Sequence, residues 1–429
     1  MCGIKNRWTP LLKWSPFESL GVIFQKMNSI KFINKTINLS NIEKDAINSQ
    51  AEKLRRKAQE NASLHSHEQA DLTIDSIVNL DKLCQTYQNE KICLFTGAGV
   101  SFTKSKYYQT PGWWDLLTEI YGQIHPQITD VEIPIKFEQL KKTYFQPWQM
   151  ASYLEEIAGE EKFIDILRQL FYHRVTKKDL KRRQIGADKD KRLPIDYLNH
   201  ALTLNAVIAF CSKIRTIRNH PCFLKNEKIE AVLTLNYDCF LEAGATQKYN
   251  SGKFKPRISK ERPNREDQLP VYHIHGYIPY GGRKPTKGLV LTEASYQKVY
   301  QEDGGASLIL DEFLSRFSTL FIGISFNDEL LLQYLERLAK RDKAKFHFVF
   351  LKIGTSKELL NRLRSVNVFP ILFNAYEQIP LLLKQVYQTC LPTTSNVEIE
   401  TKIEGKIRKT GIIELTKKEY WKLLLQIKK

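Results

Sequence analysis

The sequence predicts a doubly wound α/β fold, a mainly parallel sheet covered by helices on both faces and interrupted by an all-helical insertion. Three observations lead there. From Lys91 onward, short β-rich apolar runs alternate with stretches of helical periodicity, as a parallel sheet with helical crossovers requires. Several of those runs stop at glycine or at small polar residues. One stretch, 132–220, breaks the rhythm with helical patterns and no expected strand, apart from a basic run.

The apolar runs, in order, are Ile92–Phe95, Ala231–Leu235, Val271–Ile274, Leu289–Leu291, Leu320–Ile322, Phe346–Leu351 and Val368–Leu372. They place a Rossmann-like domain over about 85–390. Within the interruption, Lys136–Tyr144, Pro147–Ile157, Glu161–Tyr172 and Ile195–Ser212 show helical patterns. A helical lobe inserted between two strands would sit over the carboxyl edge of the sheet, where open α/β folds bind ligands.

The flanks differ from this core. Residues 1–84 read as an arm. The first 26 are basic and aromatic without periodicity, Met27 is a candidate physiological start, and 41–90 reads as a helix with a thin apolar stripe. Residues 391–429 read as a basic tail that carries the apolar patch Tyr420–Leu425. The stripe at 41–60 and this patch are apolar surfaces without an evident core to join, so we expect a homo-oligomer.

With 429 residues, 42% of them hydrophobic, the chain can bury one large domain with appended segments. No stretch approaches the roughly 18 to 20 unbroken apolar residues of a membrane-spanning helix, and no secretory pattern opens the chain. We therefore expect a cytoplasmic protein with no membrane partner. The seven cysteines form no C-x-x-C pair, which predicts free thiols and speaks against a zinc ribbon, so no zinc is expected. The net charge of +18 is concentrated in two segments, Arg174–Arg192 and Lys402–Lys429, each with nine basic residues against three acidic ones. Neither has the aromatic interleaving of a nucleic-acid module, so they read as solvated loop and tail. They keep open a nucleic-acid or protein trigger.

Four constellations carry chemistry. Gly97-Ala98-Gly99-Val100-Ser101 comes directly after the first apolar run. Glycines there let the backbone turn sharply and approach a pyrophosphate, with the next N–H groups as an anion site, although the third glycine of the dinucleotide fingerprint is missing. Thr234-Leu235-Asn236-Tyr237-Asp238 ends the second run. Capping of the next helix accounts for Asp238 and leaves Asn236 unexplained. Val271-Tyr272-His273-Ile274-His275-Gly276 ends in a histidine, and strand period two puts His273 and His275 on one face without choosing between them. The fourth is Gly323-Ile324-Ser325, a small-residue turn after another run.

In this order, the constellations resemble the sirtuin superfamily, and within it the divergent sirtuin-like domains of bacterial antiphage defence systems. Pro111-Gly112-Trp113-Trp114, Leu289 through Tyr296 and Gly323 through Asp328 look like that divergent branch. The resemblance covers roughly 85–380. It implies NAD as substrate, with Gly97, Ala98, Gly99 and Ser101 at the phosphates, Thr234, Asn236 and Asp238 at the ribose and nicotinamide, His275 as the catalytic histidine, and Gly323 and Ser325 on the adenosine side. Asn236 and His275 are the implied catalytic pair, and antiviral defence is the implied role. The four-cysteine zinc module of sirtuin deacylases is absent from the sequence, which disfavours deacylation. An NAD-hydrolysing enzyme is thus the leading expectation. A deacylase or ADP-ribosyltransferase, and a non-catalytic nucleotide-binding or nucleic-acid-associated regulator, are the alternatives.

Overall fold

The structure is a computed structural model that describes residues 67–103, 112–172, 197, 200–217, 220–249, 254–257, 268–278, 289–300, 305–326, 328–341, 345–391, 394–403 and 406–416. Met27, the stripe at 41–60, the basic run Arg174–Arg192 and the patch Tyr420–Leu425 lie outside the described residues. The chain divides into two units between Ile74 and Asp75. Of the first, only 67–74 are described, as the opening of a helix, and every element after that helix belongs to the second.

The elements run α1 (His67–Asn89), β1 (Ile92–Thr96), α2 (Trp113–Ile124), α3 (Glu132–Lys141), α4 (Pro147–Ala158), α5 (Glu160–Phe171), α6 (Leu202–Phe210), β2 (Ser212–Ile217), β3 (His220–Lys225) and β4 (Ile229–Thr234). They continue with α7 (Phe240–Tyr249), β5 (Phe254–Arg257), β6 (Leu269–His273), α8 (Glu293–Tyr300), α9 (Gly305–Arg316), β7 (Ser318–Ile322), α10 (Glu329–Ala339), β8 (His347–Lys352), α11 (Lys357–Ser365), β9 (Val368–Phe373), α12 (Ile379–Thr389), β10 (Thr394–Ile403) and β11 (Lys406–Thr416).

Seven strands form one sheet in the order β5-β6-β4-β1-β7-β8-β9, and every pairing in it is parallel. This is the doubly wound α/β fold that the sequence predicts. Strands buried on both faces must be apolar throughout, and β1, β6 and β7 are buried at every position. From β1 the chain builds one side of the sheet through β4 and β6, then crosses back to add β7, β8 and β9 on the other. That reversal opens a crevice at the carboxyl ends of β1 and β7.

Helices α2 to α5 form the lobe expected between the first two runs. Their inner faces are buried, as in Leu116, Leu117, Met150, Leu154, Phe163 and Leu167. Two contacts tie α4 to α8: the Ser152 hydroxyl accepts from Glu293 N (3.0 Å), and Trp148 stacks on Tyr296 (4.9 Å). In the part of α1 that belongs to the second unit, Asn79 Nδ2 donates to Pro370 O and the Ser76 hydroxyl accepts from Leu372 N, so α1 is fixed to β9.

Some expectations need correction. Leu289–Leu291 is not a strand. Its backbone is taken up elsewhere, with Val290 N donating to His275 O and the amides of Leu291 and Thr292 donating to the Ser295 hydroxyl that opens α8. A strand does occur between 132 and 220: β2 comes after α6 and pairs antiparallel with β3, and its Ser-Lys-Ile-Arg-Thr-Ile lacks the period-two alternation that would mark a strand. β5 is an unforeseen edge strand, short and carrying Pro256, which only an edge tolerates readily. In the stretch expected as a tail, β10 and β11 pair as an antiparallel hairpin.

Candidate active site

Sheet register brings the candidate residues into one row. Thr96 on β1 is opposite Thr234 on β4 and Ile322 on β7, and Thr234 is opposite His273 on β6. The residues just beyond each of these positions therefore emerge side by side at the carboxyl edge. Gly97 comes from β1, Asn236 from β4, His275 from β6 and Gly323 from β7.

The β1 and β7 turns interlock through glycine. Gly97 N donates to Ile322 O and Gly99 N to Gly323 O, both at 3.0 Å. A Cβ on Gly99 would lie 2.8 Å from Gly323 Cα, and one on Gly323 would lie 2.6 Å from Val100 N. Gly323 also has φ +70°, where side chains are disfavoured. Most of the turn's N–H groups are committed, since Val100 N and Ser101 N donate to Gly97 O and Ala98 O. The turn thus offers a ligand a bare, closely approachable backbone more than the expected cradle of free donors. Three residues past Gly323, Phe326 takes φ +56°, a strained conformation for phenylalanine, and its buried ring packs against Phe321.

The second turn supplies a polar chain. Asn236 Nδ2 donates to the Ser101 hydroxyl (3.2 Å), which donates to Asp238 Oδ2 (2.8 Å), while Asp238 Oδ1 accepts from Phe240 N (3.1 Å). Burial pushes the Asp238 carboxyl up to about 6, against the opposing hydrogen bonds from Ser101 and Phe240. The Thr234 hydroxyl faces the sheet instead, donating to Thr96 O and accepting from Asn236 N, so it shapes the turn.

His275 is held from its far side. Its Nε2 lies 3.1 Å from the Tyr300 hydroxyl, which donates to Asp328 Oδ2 (3.2 Å); the Tyr296 hydroxyl donates to the same oxygen. Because Tyr300 has one proton and gives it to Asp328, it accepts from His275 Nε2–H. That fixes the tautomer with the lone pair on Nδ1. Burial pulls the His275 imidazole down to about 4, opposed by the Asp328 carboxylate, so it is neutral near pH 7.

A cavity of about 800 Å³ opens over this row. Of the sequence candidates, Gly97, Ala98, Gly99, Ser101, Asn236, Asp238, His275, Gly323 and Ser325 line it, and Thr234 does not. Trp113, Trp114, Phe145, Trp148 and Phe171 of the helical lobe face them, and Lys352, Thr355 and Tyr376 border the β8 and β9 end. The volume suits a dinucleotide-sized ligand, being near the upper end of ordinary ligand sites at roughly 300–1,000 Å³.

A family model described as SIR2-like domain matches residues 230–371. Residues 230–371 are thus SIR2-like. No curated protein matches the chain. The matched span runs from within β4 to within β9 and includes Thr234, Asn236, Asp238, His275, Gly323 and Ser325. Gly97–Ser101 precedes it across the helical lobe, and only register returns that turn to the SIR2-like domain. Such a domain implies use of NAD.

His273, the other histidine, points away from the reacting row. Its Nδ1 lies 2.9 Å from Asn236 O and its Nε2 2.8 Å from Glu242 Oε1. Burial alone would lower its pKa, and Glu242 outweighs that to raise it. Cys239, Glu242 and His273, all buried, could hold a metal ion, so the expectation of a zinc-free chain must be set against this group. Sequence reasoning also missed Tyr300, Asp328 and Trp148 as site residues. The signal for the first was a Tyr-x-x-x-Tyr spacing, Tyr296 to Tyr300, which puts both hydroxyls on one face of α8. Among the described residues no helix is long and apolar enough to cross a membrane.

Proposed function

We propose that this chain hydrolyses NAD at the nicotinamide–ribose glycosidic bond, releasing ADP-ribose and nicotinamide. The observation that carries this reading is the meeting of Asn236 and His275, from neighbouring parallel strands, at one cavity wall. Breaking that bond builds positive charge on the ribose, as in other glycosyl transfers. Nicotinamide departs with the electron pair of the C–N bond, and a water oxygen bonds to the anomeric carbon. Asn236 orients ribose and water, and His275 accepts the water's proton at Nδ1. Asp238 contacts the nicotinamide end. The Gly97–Ser101 turn takes the pyrophosphate, Gly323 and Ser325 take the adenosine side, and the aromatic wall gives flat rings a stacking surface.

Incubating the purified chain with NAD and separating the products by chromatography tests this. We expect free ADP-ribose and nicotinamide in equal amounts. Acyl-ADP-ribose or ADP-ribosylated protein would replace hydrolysis with transfer, and binding without turnover would replace it with sensing. We assign the activity to a defence effector that depletes NAD, on the resemblance of the Gly323–Asp328 and Trp113-Trp114 motifs. An unregulated enzyme of this kind would exhaust its host, so activity is expected to depend on self-association and a trigger. Light scattering that finds a fully active monomer at every concentration would remove that dependence.

A further inference from the structure

Behind the Asn236 turn, three side chains that the proposed reaction does not use converge. Cys239 and Glu242 stand at the start of α7, and His273 ends β6. Their potential ligand atoms all lie within 4.8 Å of one another, and each residue is more than nine-tenths buried.

The hydrogen bonding around His273 shows what the group lacks. Asn236 O can only accept, so His273 Nδ1 carries a proton and donates to it. In a neutral ring, Nε2 then presents a lone pair, and it faces the Glu242 carboxylate at 2.8 Å. Two acceptors at that distance need a cation, either a proton on Nε2 or a metal ion shared by both. A proton would satisfy Oε1 alone. Glu242 Oε2 is also buried and has no hydrogen-bond partner, a costly state for a carboxylate oxygen. A metal ion could engage the carboxylate, the imidazole and the Cys239 sulfur together.

We propose that Cys239, Glu242 and His273 bind a zinc-class divalent cation. Thiolate, imidazole and carboxylate suit a borderline-soft ion, and a Cys–Glu–His set leaves a fourth position for water. Binding releases the Cys239 thiol proton and any proton on His273 Nε2 to solvent, and two anionic ligands then balance the dication. The donation from Nδ1 to Asn236 O is the outer hydrogen bond that commonly orients a ligating histidine. The ion would therefore fasten α7 and β6 to the turn that carries Asn236. This inference does not depend on which reaction the cavity performs. The ligands were hidden from a search for cysteine pairs because they come from one cysteine, one glutamate a helical turn on, and a distant strand end.

Elemental analysis of the full chain, purified with Zn²⁺ supplied and then dialysed, tests the site without any activity measurement. We expect about one zinc per chain, and roughly tenfold less in Cys239→Ser and Glu242→Gln. Replacement by Co²⁺ should give a thiolate-to-cobalt charge-transfer band that Cys239→Ser abolishes and that Cys390→Ser, at a half-buried thiol, leaves intact. Wild-type chain holding less than about a tenth of an ion, with no cobalt–thiolate band, would overturn the proposal and leave a proton-bridged His273–Glu242 pair. Undiminished zinc in Cys239→Ser would overturn it equally.

Discussion

The two walls of the cavity are built on different principles. The floor, from Gly97–Ser101, Asn236–Asp238, His275 and Gly323–Ser325, takes its geometry from strand register and from backbone contacts that no side chain can replace. The roof takes Trp113, Trp114, Trp148 and Phe171 from helices and Phe145 from the loop before α4, and ring packing holds its helical side chains, such as Trp113 on Tyr237 at 5.4 Å. Backbone register positions polar atoms to fractions of an ångström. Ring packing supplies area with looser geometry. For the proposed reaction, chemistry is expected from the floor and affinity from the roof.

The sharpest way to break that assignment is to remove the two floor side chains nearest the proposed reaction. Asn236→Ala and His275→Ala should each lower NAD turnover by roughly 10²-fold or more, the scale of a positioned acid or base, with melting temperatures close to the parent. The double variant should fall little further, because groups serving one transition state fail together. Near-normal turnover in either single variant would take the chemistry out of this row.

On the roof, Trp148→Ala should raise KM about tenfold and leave kcat within about threefold, since a lost stacking surface of roughly 1.4 kcal/mol acts on bound substrate and transition state alike. A collapse of kcat instead, read from steady-state kinetics, would make the roof part of the chemistry. Between the walls, Tyr300→Phe keeps the ring and deletes the hydroxyl that locks the His275 tautomer. A net hydrogen bond of about 0.5–1.5 kcal/mol predicts a turnover loss of roughly two- to thirteenfold. No loss at all would mean that His275 needs no support from α8.

The unequal visibility of the two walls in the sequence has the same physical origin. Strand ends announce themselves, because an apolar run that stops at glycine, asparagine or histidine marks where a buried strand meets a crevice. Gly97, Asn236, His275 and Gly323 were legible for that reason, and so was the parallel sheet. Trp148 and Tyr300 were not, since an aromatic residue on an amphipathic helix looks the same whether it fills a core or lines a cavity. Thr234 fitted the strand-end pattern yet turned its hydroxyl onto Thr96 O, because a motif does not encode the direction in which a side chain points. Leu289–Leu291 misled for the opposite reason: three apolar residues are too few to decide between a strand and the approach to a helix.

The smallest effect on activity is expected far from both walls, at His347, the first residue of β8. Burial, with a further push from Lys345, pulls its imidazole down to about 4. A folded value below the unfolded one means that the unfolded chain takes up the proton more readily. The stabilising contribution is therefore complete above about pH 6.5 and lost as pH falls from there towards about 4, by roughly 1–3 kcal/mol. Melting temperatures of His347→Gln should decline less steeply over that window than those of the parent, with turnover at pH 7 unchanged. Parallel curves would show that His347 does not set the acid sensitivity.

The position of β1 in the sheet bears on how such an enzyme is made. β1 lies between β4 and β7, and its glycine turn meets Gly323 only when β7 is in place. A chain still on the ribosome holds Gly97, Asn236 and His275 well before Ile322 has been synthesised, yet the crevice lacks its second wall throughout that interval. Every nascent or truncated chain that stops short of β7 therefore lacks the Gly97–Gly323 interlock on which the crevice is built. The lining of the cavity is complete only in a chain long enough to have laid down the far side of its sheet.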